Sequence, residues 1–372
     1  MNFSDVLKTV ELVLLSGEVP LIIGESGIGK TSLIKELSEK NGYYLVTIDA
    51  NLLKEGEIGG LPTVEEREVL EGERIIKRKA TVYATHSKLI EIDEALMGRE
   101  NNILLFIDEL NRCEHAVQQE LMNLILNREI NGYILSQRVY VVAAMNPSNK
   151  YDGFQNSDYQ VVDMDPAQED RFVWIDMDSD VKEWVKWSMT KGNIHEHIVE
   201  FISTFPEYLH TPSSQETIKA TPRSWERISK AYNVYLNSKD SIPFNIFYNV
   251  VKGNVGVNIS QDFISFIKNI REPLLKAVDI FKDDILSFDI KEKLKKESHS
   301  RLYIISKNCL AYLEVSEDRT KKIRVFSELL TVYPKDLRLG IMKEIKSDYS
   351  KSIYEEMLDC ENFLNAFFDI YA

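Results

Sequence analysis

Through the first half of the chain, short runs of consecutive apolar and β-branched residues alternate with longer stretches whose apolar positions recur at helical spacing. Val19–Gly24, Tyr44–Asp49, Ile103–Asp108 and Val139–Met145 are apolar on both faces, as central strands buried between helices must be. Trp174–Met177 is a weaker fifth. This alternation predicts a parallel five-stranded sheet flanked by helices over residues 1–180, an α/β fold. Two insertions interrupt it. Arg67–Arg78 turns at Glu71-Gly72 between strand-like runs, and Asn127–Gln137 turns at Asn131-Gly132, a strong hairpin signal. Beyond Asp180 the β-rich runs stop. Ser224–Asn237 and Ile259–Asp284 carry helical periodicity, and Pro206, Pro212, Pro222, Pro243, Gly253 and Gly256 punctuate a helical second half. The first twenty residues read as an amphipathic helix rather than a cleavable leader.

Charge narrows the functional classes. The 372 residues hold 45 Lys and Arg against 59 Asp and Glu, a net charge of -14, which argues against wrapping nucleic acid by bulk electrostatics but leaves a local basic patch open. No apolar run approaches the ~18–20 residues of a membrane span. Cys113, Cys309 and Cys360 follow no metal-ligand spacing, which fits a reducing cytoplasm without a disulfide framework.

The chemistry gathers at strand ends. Gly24-Glu25-Ser26-Gly27-Ile28-Gly29-Lys30-Thr31 follows the first strand and runs through Ser32 into a helix, the order of a phosphate-binding P-loop. Glycines let successive N–H groups face one concavity, and the helix N-terminus adds positive potential. Lys30 is expected to reach the phosphates of ATP, and Thr31 to hold Mg²⁺. A bare Gly-rich turn is the competing reading, and the strand-loop-helix order disfavours it. Asp108-Glu109 ends a second buried strand; Asp108 is expected at the metal and Glu109 at the attacking water. In isolation the pair would equally be a solvated strand end. Asn146, ahead of Pro147 at another strand end, is a candidate sensor of the γ-phosphate or the lytic water, although Asn-Pro also starts ordinary turns.

The order of these motifs, with Glu57-Ile58-Gly59-Gly60-Leu61-Pro62 and Asp108-Glu109-Leu110-Asn111-Arg112, resembles the MoxR-type branch of the AAA+ ATPases over roughly residues 5–275. The segment Asp170-Arg171-Phe172 is similar to that family's element whose arginine acts on the neighbouring subunit's nucleotide, and Thr221-Pro222-Arg223 to its sensor-two motif. The resemblance implies a P-loop AAA+ core over 1–180, an all-α lid over 181–275 carrying Arg223, and a helical C-terminal extension over 276–372. It further implies Glu109, Asn146, Arg171 and Arg223 as catalytic residues, and a homo-oligomeric, hexameric ring acting on a protein substrate. A von Willebrand type A domain partner is part of the same implication. The hairpins are expected beside a central pore, with Arg74, Lys77, Arg78, Tyr133 and Leu135 as substrate contacts; the plainer alternative is a pair of solvated hairpins. Arg112 and Arg128 are either intersubunit or structural.

Two apparent sites are set aside. Asp176–Asp180 opens like a calcium loop but has Val181 and Trp187 where Gly and Glu are required, and His195 and His197 lack further ligands in a metal pattern. The functional expectation is an ATP-driven remodelling or chaperone-like ring in the cytoplasm. The alternatives are a nucleic-acid-directed motor that uses the basic hairpin Arg74–Lys79 and an ATP-dependent assembly switch.

Overall fold

The computed structural model describes residues 1–71, 74–98, 102–151, 159, 161–238, 241–270, 274–316 and 318–371. By internal contacts the chain divides into two units, Met1–Asp180 with Thr221–Arg223, and Val181–Ala220 with Ser224–Ala372.

The first unit contains β1 (Pro20–Ile23), β2 (Tyr44–Asp49), β3 (Pro62–Glu71), β4 (Arg74–Tyr83), β5 (Ile103–Asp108), β6 (Glu129–Ile130), β7 (Tyr133–Ile134), β8 (Val139–Met145) and β9 (Val173–Asp176). Five of them form the expected sheet, in the order β2-β5-β8-β1-β9, with every pairing parallel. Its helices are α1 (Phe3–Leu15), α2 (Lys30–Asn41), α3 (Ser87–Met97), α4 (His115–Met122) and the single turn α5 (Pro166–Glu169). The two-residue period of the strands sorts the core onto two faces. Ile22, Leu104, Phe106, Val142 and Ala144 pack with Val6 and Val10 of α1 and Leu33, Ile34 and Leu37 of α2. Leu21, Ile23, Leu105, Ile107 and Ala143 face Leu89 and Ile92 of α3 and Val117 and Leu121 of α4. The sheet therefore lies between helical layers, with the ends of β1, β5 and β8 opening on one edge, where α/β sheets bind ligands.

Both hairpins form. The first is longer than its sequence signal: β3 and β4 pair over ten residues each, from Pro62↔Tyr83 to Glu71↔Arg74. Of the expected turn, Gly72 lies outside the described residues. The second is minimal, with Asn131 (φ 48°) and Gly132 (φ 86°) both left-handed as a type I′ turn requires.

The second unit is helical. The residues expected as lid and as C-terminal extension contribute to one hydrophobic core, in which Phe201, Trp225 and Phe263 are joined by Leu310, Phe326 and Leu329. Helical periodicity over Ile259–Asp284 resolves into Val257–Asn269 and the short Ala277–Ile280. Pro273 lies between them in the sequence, and a helix interior excludes proline because it lacks an N–H and clashes with the preceding turn. Among the described residues no helix is long and apolar enough to cross a membrane.

Candidate nucleotide site

β1 delivers the chain into Gly24–Thr31, where Gly27 (φ 81°) and Gly29 (φ 111°) take conformations that side chains resist. A Cβ on Gly24 would lie 2.7 Å from the Met177 carbonyl oxygen, and one on Gly27 would lie 2.9 Å from Thr221 Oγ1. Neither position takes a side chain without a shift of its neighbours. Lys30 begins α2 and turns inward, only 8% exposed. Its Nζ donates to the carbonyls of Gly24 (2.5 Å) and Glu25 (3.2 Å) and to Asn146 Oδ1 (3.1 Å). Burial pushes its pKa down to about 8, against the opposing pull of Asp108, Glu109 and Glu25. The exposed Ser32 continues the first turn of α2.

The ends of β5 and β8 complete the cluster. Thr31 Oγ1 donates to Asp108 Oδ2 at 3.1 Å, bringing together two hard oxygens of the kind that suits Mg²⁺. Glu109 is held at φ 56°, a strained conformation for a residue with a side chain, and its N–H donates to Asp108 Oδ1 at 3.0 Å. The strained turn sends the Leu110 N–H to the Ala144 carbonyl (3.0 Å), stitching the end of β5 to β8. Asn146, fully buried, donates through Nδ2 to Glu109 Oε2 while its Oδ1 accepts from Lys30. Its amide therefore links the P-loop lysine to the glutamate. Burial raises the Glu109 pKa, Asp108 adds to the rise, and Lys30 and Arg112 oppose it. Arg112 approaches Glu109 at 3.7 Å.

Sequence reasoning passed over two residues that shape this site. Asn111, 2% exposed, donates to the Asn146 carbonyl at 2.7 Å and accepts the Asn146 N–H at 3.3 Å, gripping the Asn146 backbone from both sides. Its only signal was its place in Asp-Glu-Leu-Asn-Arg. Tyr159 accepts the Ser26 N–H on its hydroxyl at 2.9 Å, and burial pushes that hydroxyl up to about 12. No local pattern announced it.

The two remaining arginines lie apart. Arg223, exposed, meets the P-loop through its backbone: its N–H donates to the Gly27 carbonyl at 3.2 Å, and its charge is felt at Lys30. Arg171 is at the other edge of the sheet. The capping box of Asp165 and Gln168 fixes α5, and the exposed Arg171 follows it, two residues before Val173, which pairs with Pro20 at the entry of β1. Gly24 leaves the exit of β1, so the entry level of Val173 and the P-loop lie about 13 Å apart along the strands, four residues at ~3.3 Å each, and Arg171 lies before that entry. Arg171 borders a polar pocket with Gln119, Asn123, Asn127 and Gln168.

Several other expectations change. Leu135 is 1% exposed in the core and cannot touch a substrate; Tyr133 donates its hydroxyl to Asp93 Oδ1 at 2.9 Å. Between them in the chain, Ile134 is 73% exposed. Arg128 donates to the carbonyls of Ser136 (2.5 Å) and Val139 (2.9 Å), tying the small hairpin to β8. The side chain of Arg74 lies outside the described residues, whereas Lys77 and Arg78 are exposed on β4. His195 caps a helix and His197 meets the Tyr232 hydroxyl at 2.9 Å; among the described residues no cluster has the makings of a metal site beyond the pair at Thr31 and Asp108.

Residues 20–172 match the family described as the AAA domain of the dynein-related subfamily. Over these residues the chain is similar to an AAA domain. Modules of this kind generally hydrolyse nucleotides, and the match spans the P-loop, Asp108-Glu109, Asn146 and Arg171. No curated protein matches the chain. Among solved structures, the RuvB Holliday junction branch migration motor of Thermotoga maritima is 17% identical, over 75% of this chain and 74% of its own, with a TM-score of 0.31. A putative ATPase from Cytophaga hutchinsonii is 15% identical, over 72% of this chain and 93% of its own, with a TM-score of 0.30.

Proposed function

We propose that the protein is an ATP-hydrolysing motor of the MoxR type that works as a cytoplasmic, hexameric ring and remodels a protein substrate, with a von Willebrand type A domain protein as partner. The observation that carries the shared-site reading is the separation of Arg171 from its own P-loop: an arginine beyond the opposite sheet edge serves a phosphate only if that phosphate belongs to a neighbouring copy.

Within one subunit, the backbone amides of Gly27 and Gly29 and the ammonium of Lys30 would hold the polyphosphate of ATP, exchanging the present carbonyl partners of Lys30 for phosphate oxygens. Thr31 and Asp108 would hold Mg²⁺, which when bound supplies neutralising charge to the phosphates. Glu109 orients and polarises the attacking water. Asn146, bonded to both Lys30 and Glu109, keeps that carboxylate in register with the phosphate end of the site. Arg223 adds positive charge from its place at the P-loop, and Arg171 of the adjacent subunit spreads charge over the transferred phosphoryl group, an effect worth about 10³–10⁵ in rate in comparable enzymes.

Turnover per subunit should therefore rise with protein concentration as rings form, and Lys30→Ala should lose both nucleotide binding and ATP-dependent assembly. Intact ATP affinity in that variant would remove the P-loop assignment. Glu109→Gln held in ATP should retain protein substrate and partner on the ring in a pull-down. Turnover stimulated by DNA in a salt-sensitive way, with no protein retained, would instead favour a nucleic-acid-directed motor.

A further inference from the structure

The long hairpin is unusual in its exposure. Every described side chain of β3 is exposed, and those of β4 are exposed or half-exposed, so the ribbon has no core beneath it. Among the described residues no strand pairs with the outer edge of either β3 or β4. A two-stranded ribbon of this length presents two rows of unpaired backbone groups and is marginal in water without a partner.

The charges are sorted by strand. β3 carries Glu65, Glu66, Glu68 and Glu71 against the single Arg67, while β4 carries Arg74, Lys77, Arg78 and Lys79 and no acid. Within the ribbon, Glu66 lies opposite Lys79 and Glu68 opposite Lys77, and Lys77 Nζ also approaches Glu66 at 4.0 Å. One outer edge is thus acidic and the other basic. An exposed strand edge accepts a strand of complementary charge, and each copy carries both halves of such a pair.

We propose that in the assembled ring β3 of one copy pairs edge to edge with β4 of the next. This rests on the ring reading given above. Rotation about a ring axis points all hairpins the same way, so β3, running from base to tip, lies beside a neighbouring β4 that runs from tip to base. The contact is antiparallel, as inside each hairpin, and places acidic side chains beside basic ones. The hairpins then form a continuous collar of alternating charge, and the exposed Leu70 and Ile75 join neighbouring pairs towards its tip.

Two charge-reversed chains test this. One carries Glu65→Lys, Glu66→Lys and Glu68→Lys, making both of its strands basic; the other carries Lys77→Glu, Arg78→Glu and Lys79→Glu, making both acidic. Each alone should assemble about tenfold or more weakly than the unaltered chain in ATP, because every edge contact becomes like against like. Mixing them should restore assembly as alternating rings. Rescue cannot come from within a chain, since each hairpin keeps its own mismatch. A second experiment leaves the charges in place: a Glu66→Cys chain mixed with a Lys79→Cys chain should give an oxidised heterodimer that neither chain gives alone. Rings of the unaltered chain without rescue and without that cross-link would overturn the edge pairing and leave the ring standing. Failure of the unaltered chain to assemble in ATP would overturn the ring and this inference together.

Discussion

Lys30 holds an ammonium where water hardly reaches, and its chemistry sets a testable pH dependence. Its pKa falls from an ordinary 10.5 to about 8, so folding penalises the charged form. That cost is fully present below the folded value and is relieved as pH rises from about 8 towards about 10.5. Bound polyphosphate would restore the charge. Binding of ATP at about pH 8.5 should therefore take up a proton, measurable by titration calorimetry in buffers of different ionisation enthalpy, and the uptake should vanish near pH 6. Asn111 makes a second prediction. Asn111→Ala strips the Asn146 backbone of two buried hydrogen bonds, and should cost roughly 1–3 kcal/mol in denaturant unfolding while lowering kcat more than it raises KM for ATP. The P-loop lysine and the Asp-Glu pair were legible because spacing and strand order specify them. Asn111 and Tyr159 were not, because their roles arise from where the chain returns in space: the left-handed turn at Glu109 brings Asn111 beside β8, and Tyr159 meets a loop distant in sequence.

At the scale of elements, the Gly-Gly-Leu-Pro stretch has a structural reason. Gly60 sits at φ 83°, and a Cβ there would approach the Ala84 carbonyl oxygen at 2.0 Å, where the two ends of the long hairpin meet. The N–H groups of Gly56 and Gly59 donate to the carboxylate of Glu120, and Asn131 of the second hairpin donates to the Gly59 carbonyl at 2.8 Å. Both hairpins are thereby anchored through one short loop. Gly60→Ala should cost on the order of 1–3 kcal/mol and raise proteolytic cleavage within 62–83 before the sheet is affected. Strands buried on both faces were readable because nothing but an unbroken apolar run satisfies that environment. The hairpin's length was not, since a ribbon exposed on both faces carries no apolar alternation to mark its ends. Leu135 read as a surface residue because it follows a turn, yet the type I′ hairpin folds it back into the core.

Over the whole molecule, the sequence separated an α/β first half from a helical second half, while the sharing of one core by residues 181–275 and 276–372 needed three-dimensional contacts to see. Within that helical unit, Arg301 donates two hydrogen bonds to Glu200 at 3.0 and 3.1 Å, joining helices about a hundred residues apart in sequence, both side chains largely buried. Breaking the pair with Arg301→Met should destabilise the unit by about 3 kcal/mol, since it leaves a carboxylate buried without its partner. On the proposed reading the nucleotide site also depends on assembly. Lys30, Thr31, Asp108, Glu109 and Asn146 converge within one chain, and Arg171 stands beyond the opposite edge of the sheet. The most direct test is to mix a Glu109→Gln chain with an Arg171→Ala chain, each nearly inactive alone. Interfaces that join the intact glutamate of one to the intact arginine of the other should recover a substantial share of ATP turnover. Mixed rings, verified by mass, that stay as inactive as either variant would contradict a site shared between subunits.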